Sequence, residues 1–123
     1  MAVTRYLVHD TDAAGAFYVE LLGFTLATRM GPAFASVERD GHELWLSGSQ
    51  TSAAQPMPDG RVPVPGGWNR LVLEVEDVSG MLVRLDEAGV QRRNEPLSGP
   101  GGTQVLLEDP SGNPVELFSS RSS

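Results

Sequence analysis

The chain has no cysteine, so disulfides, thiolate zinc sites and thiol nucleophiles are excluded. Long apolar runs are missing too, since no stretch approaches the ~20 residues a membrane helix needs. The opening MAVTRYLVHD lacks the basic-then-apolar region of a signal peptide. A cytoplasmic location is expected from these absences. Positive charge is scarce: 9 Lys and Arg stand against 16 Asp and Glu, for a net charge of −7. That balance favours solubility and disfavours a nucleic-acid backbone or an anionic membrane as partner. What remains is ordinary globular composition, 40% hydrophobic and 20% charged. At 123 residues the chain fits one domain, 1–123, able to bury roughly two-thirds of its unfolded surface.

An internal duplication organises the sequence. VTRYLVHDTDAAGAFYVELLGF (3–24) and RLVLEVEDVSGMLVRLDEAGV (70–90) each open on a β-branched, apolar run. Each then reaches an acidic residue, Asp10 or Asp77, continues into a helical stretch and stops at Gly23 or Gly89, the residue type that tolerates positive φ past a helix end. Asp10 or Thr11, and Asp77, are expected N-caps. Helical spacing gives one apolar stripe through Ala13, Phe17, Leu21 and Leu22, and another through Val78, Met81, Leu82, Leu85 and Ala88.

Strand-like segments follow each helix: 25–30, 33–39 and 43–47 with a turn at Asp40-Gly41, then 91–93, 103–108 and 115–118. Pro110-Ser111-Gly112-Asn113 supplies turn chemistry before the last of these. The layout is α+β, two modules (3–47 and 68–118) with each helix covering one face of a sheet. Between them, 48–67 is rich in Pro, Gly, Ser and Ala, either a plain connector or a lid in which Met57, Val62 and Val64 cover a pocket mouth. The tail, 119–123, is expected to fray.

The run D-x-D-A-A-x-A-F-Y-x-E-L-L-G-F (10–24) and the closing D-P-S-G-N-P-V-E-L-F (109–118) resemble the vicinal-oxygen-chelate superfamily, which includes glyoxalase I, bleomycin-resistance proteins and extradiol dioxygenases. The resemblance spans nearly the whole chain, duplication included. It implies two tandem β-α-β-β-β modules whose sheets curl into an open barrel-like cavity, and it implies a homodimer. Members range from metal enzymes to binding proteins without metal, so the fold leaves the function open.

The family's enzymes hold a divalent metal with side chains from the first and last strand of each module. Carried over position by position, those sites fall on Val3, Trp45, Arg70 and Glu116. Valine, tryptophan and a protonated guanidinium offer no metal-binding lone pair, so only Glu116 matches a ligand position. No metal or other cofactor is therefore expected. His9 and His42 read as surface histidines, which do not restore the set.

Strand alternation puts Arg70, Val72 and Glu74 opposite the helix-facing Leu71, Leu73 and Val75. Glu116 likewise faces away from the helix, so an Arg70–Glu116 ion pair is expected where a metal would sit, unless both are simply solvated. Arg5 and Glu74 extend the polar set. Val3, Trp45, Trp68, Phe118 and Phe34 form the apolar part, with Trp45 offering a broad surface for a planar ring or else packing in the core. The reading that follows is a protein binding a small organic ligand, an aromatic natural product or drug. The alternative is a lyase, isomerase or dioxygenase, metal-independent rather than metal-dependent, with Glu74 or Glu116 as general base and Arg70 or Arg5 stabilising negative charge.

Overall fold

The computed structural model describes residues 1–120. Two compact units emerge, Met1–Gly66 with Pro110–Asn113 and Gly67–Asp109 with Pro114–Ser123. Each is a β-α-β-β-β module carrying one four-stranded sheet. Among the described residues no helix is long and apolar enough to cross a membrane.

In the first unit the elements are β1 (Thr4–Leu7), α1 (Thr11–Ala16), β2 (Thr25–Met30), β3 (Phe34–Arg39) and β4 (His42–Ser47). The sheet order is β1-β4-β3-β2, with β1 parallel to β4 and the other pairs antiparallel. Local chemistry explains the boundaries. The Asp10 carboxylate accepts from the Asp12 and Ala13 amides at 2.9 and 3.2 Å, capping α1. Asp40 and Gly41 both have positive φ, 53° and 81°, as a two-residue hairpin whose twist matches its strands requires.

The first helix does not stay regular: Phe17–Leu21 forms a π turn. Its buried face runs through Ala14, Phe17, Tyr18 and Leu22. The expected Ala13 and Leu21 are only half-buried; the wider turn rotates Leu22 rather than Leu21 inward, whereas Ala13 lies before that turn. Tyr18 meets Phe17 and Phe24 edge-on at 5.0 and 5.4 Å, over a sheet face of Ala35, Val37, Leu44 and Leu46, all 1% exposed or less.

The second unit contains β5 (Leu71–Glu74), α2 (Val78–Glu87), β6 (Leu97–Gly99), β7 (Gly102–Glu108) and β8 (Pro114–Ser120), in sheet order β5-β8-β7-β6. Its core joins Val78, Leu82 and Leu85 of α2 to Leu71, Val105, Leu107, Val115 and Leu117; Ala88, expected on the stripe, is exposed. Asp77 stands at the N-cap of α2 but its side chain makes no capping bond.

Two expected boundaries move. The segment 91–93 is not a strand: Arg92 makes an isolated bridge to Leu107, and the strand lies instead at Leu97–Gly99. Asn94 explains the break, since its side-chain oxygen takes the Leu106 amide at 2.9 Å, and Pro96 has no N–H to continue the ladder. Ser119 and Ser120 are not frayed but extend β8, paired with Thr103 and Gly102; residues 121–123 lie outside the described residues.

The stretch 48–67 contains a short 3-10 turn at Ser52–Ala54, and Met57, Val62 and Val64 are exposed. It is tied down within the first unit by Asn113, whose side-chain oxygen accepts from the Gly66 amide at 2.7 Å and whose side-chain nitrogen donates to Leu7 O at 2.7 Å. This gives the asparagine of the closing motif a physical task.

Candidate ligand-binding faces of the two sheets

In each unit the helix covers one sheet face, and the chemistry-bearing side chains stand on the other. Directly paired strand residues point to the same face. In the first unit Arg5 pairs with Trp45, Trp45 with Ser36, and Phe34 with Ser47. Trp45 is half-buried rather than part of the core. Its orientation is held by three neighbours. The indole N–H donates to Glu43 Oε1 at 2.9 Å. Phe34 meets the ring edge-on at a centroid distance of 6.0 Å. The Arg5 guanidinium lies over the ring, 4.9 Å from its centroid, and donates to Ser47 Oγ at 3.0 Å. Val3, one alternation before Arg5, is half-buried; register places Arg5, not Val3, opposite Trp45.

Ser36 is a residue that sequence reasoning missed. It is 1% exposed, and its hydroxyl has no hydrogen-bond partner among the described residues. A serine in an alternating strand carries no signal of that kind, because only the packed neighbours decide whether its hydroxyl finds a partner.

In the second unit the alternation is as expected: Leu71 is 8% exposed and Val72 52%. Arg70 Nε and Nη2 donate to Glu116 Oε1 at 3.0 and 2.8 Å. Glu116 sits opposite Val72 in register, so Arg70 reaches it along the sheet rather than straight across. The Glu116 side chain is 10% exposed and that of Arg70 28%, a partly desolvated pair with the carboxylate as the more buried member. Glu74 lies opposite Phe118; it is exposed, Phe118 half-buried, and Glu74 makes no ion pair among the described residues.

Trp68 is 67% exposed. Its neighbour was not foreseeable from local pattern: Arg93 lies over the ring at 4.5 Å, donating to Glu108 at 2.8 Å and to Gly67 O at 2.7 Å. Arg70 also donates to Trp68 O at 3.3 Å. A cavity of about 250 Å³ in this unit is lined by Ser98, Gly99, Gly102, Thr103, Ser119 and Ser120. By alternation, Thr103 and Ser119 share the face of Val105 and Leu117, while Gly102 and Ser120 share that of Leu106 and Glu116, so this cavity lies at the strand ends and draws on both faces.

The four positions that the resemblance equates with metal ligands are Val3 and Trp45 in the first unit, Arg70 and Glu116 in the second. These residues do not fit a metal: one carboxylate is the whole donor set, and a guanidinium already engages it. Among the described residues no three His, Asp or Glu side chains converge on a possible metal position. His9 and His42 are exposed, with His42 Nε2 2.8 Å from Thr4 Oγ1.

Comparison with known proteins gives a consistent result. TnmS3, an antibiotic binding protein from Streptomyces, is 29% identical, with 98% of this chain and 97% of that one covered at a TM-score of 0.67. A superfamily member from Sphaerobacter thermophilus is 26% identical, with 98% of each chain covered and a TM-score of 0.73. Lactoylglutathione lyase from Agrobacterium tumefaciens shares the fold at 21% identity, 97% and 92% coverage and a TM-score of 0.74. No match is found among curated proteins. The family model for the Glyoxalase/Bleomycin resistance protein/Dioxygenase superfamily matches residues 1–117, and the chain belongs to that superfamily.

Proposed function

We propose that the chain is a small-molecule binding protein of the bleomycin-resistance type, holding an aromatic natural product or drug in a cavity without a resident metal. It would act in the cytoplasm and as a homodimer, each sheet leaving strand edges and apolar side chains such as Val72 and Leu97 for a symmetric partner. The observation that carries the reading is Trp45. Its indole is oriented and half-buried on the sheet face away from the helix, at a position that the resemblance equates with a metal ligand. The similarity to an antibiotic binding protein supports it.

The second reading, a metal-independent lyase or isomerase, draws its support from Glu74, an exposed carboxylate without an ion-pair partner that stands as candidate base beside the engaged Glu116 and Arg70. Calorimetric titration of planar aromatic compounds into the parent and Trp45→Ala tests the binding reading. A loss of ~30-fold in affinity, about 2 kcal/mol, is expected for truncating a stacking aromatic. Equal binding by a folded variant would assign Trp45 to packing alone.

A further inference from the structure

We infer that the ligand is a planar aromatic acid whose anionic group is bound by Arg5 rather than Arg70, an inference that rests on the binding reading above. The first ground is charge. Arg29, Arg39, Arg61, Arg70, Arg92 and Arg93 each pair with a carboxylate. Among the described residues Arg84 and Arg5 do not. Arg84 stands in the last turn of α2, where the helix carbonyls favour a cation. Arg5 has no such compensation. Its recorded partners are a neutral hydroxyl and an aromatic face, and most of its five N–H donors remain for another acceptor.

The second ground is shape. Glu43 and Phe34 fix the indole from its N–H and from its edge, and Arg5 lies over that fixed ring. A guanidinium is planar and stacks on aromatic faces while its fork binds a carboxylate in the same plane. The layer therefore offers a ring a flat surface and its acid group a fork. Arg70 offers neither, because Glu116 already takes two of its N–H groups. The third ground is Ser36, beside Trp45 in register, with a buried hydroxyl that lacks a partner. A buried unpaired hydroxyl is costly unless something polar reaches it. With a chain charge of −7, long-range steering opposes an anion, so its retention depends on this local contact.

The experiment compares three probes sharing one ring system: 9-anthracenecarboxylate, 9-anthracenemethanol and 9-anthracenemethylammonium. They are titrated calorimetrically into the full chain, Arg5→Gln, Arg5→Lys, Arg70→Gln and the charge control Arg61→Gln, with circular dichroism confirming the fold of each. The carboxylate is expected to bind roughly tenfold tighter than the alcohol, as a charge-assisted hydrogen bond would give. Arg5→Gln should bring the carboxylate down to the alcohol while leaving the alcohol unchanged. Arg5→Lys should keep part of the preference, and Arg61→Gln all of it. If the alcohol or the ammonium binds as well as the carboxylate, the inference fails while the binding reading stands. The same holds if the preference survives Arg5→Gln and is lost in Arg70→Gln. If none of the three binds the parent, both fail.

Discussion

Glu116 and Arg70 form a largely desolvated ion pair among the described residues, and removing either partner should have unequal costs. Both guanidinium contacts, at 3.0 and 2.8 Å, fall on one carboxylate oxygen. The Glu116 side chain is 10% exposed and Arg70 28%. Breaking a fully buried pair costs roughly 3–5 kcal/mol, because the remaining charge is left without compensation. Water reaches more than a quarter of Arg70, which lowers that figure here. Arg70→Met strands the more buried member and should cost about 2–3 kcal/mol. Glu116→Gln strands the better solvated one, keeps an acceptor oxygen in place, and should cost about 1–2 kcal/mol. The double variant Arg70→Met, Glu116→Gln removes both charges and leaves one neutral amide, so it should cost about 2 kcal/mol, well under the sum of the two singles. Urea unfolding of the four proteins closes the cycle and gives a coupling of about 2 kcal/mol. Additive costs, or an Arg70→Met variant within about 0.5 kcal/mol of the parent, would refute the reasoning and make the pair a solvated surface contact.

Four further outcomes are expected. Asn113→Ala should cost about 2–3 kcal/mol in the same assay, since it strands the Leu7 carbonyl and the Gly66 amide together. Ser36→Ala, by contrast, should leave the ligand-free protein as stable or up to about 1 kcal/mol more stable, because the hydroxyl it removes has no partner; a marked loss on thermal unfolding would show that it is satisfied. Elemental analysis after dialysis should find no stoichiometric divalent ion, and light scattering should return twice the 13.2 kDa chain mass; near one metal per chain lost on Glu116→Ala, or a clean monomer on dilution, would overturn these two in turn.

The module layout was legible because it rests on local chemistry. Periodicity, the Asp10 cap, the Asp40-Gly41 turn and the glycines after each helix act over a few residues, and the duplication repeats them. Strand alternation likewise predicted that Arg70, Val72 and Glu74 face away from the helix. Where local rules compete, reading by sequence slipped. The first helix buries Ala14 and Tyr18 where Ala13 and Leu21 were expected, with a π turn over Phe17–Leu21. Asn94 and Pro96 interrupted the strand expected at 91–93. At the tail, pairing with β7 held Ser119 and Ser120 that their composition alone would have left loose.

By itself the sequence determined the α+β modules, the side-chain chemistry available at Val3, Trp45 and Arg70, and the acidic character of the whole chain, since each depends only on residue identity and short-range order. Tertiary structure alone decided which arginine is spoken for. Arg5 within β1 and Arg70 just before β5 are the same residue type, but Arg5 meets a tryptophan face and a hydroxyl while Arg70 meets Glu116. That difference arises from side chains more than 35 positions away in sequence, which register brings alongside them. The same long-range packing buries Ser36 without a partner, and no local pattern encodes it.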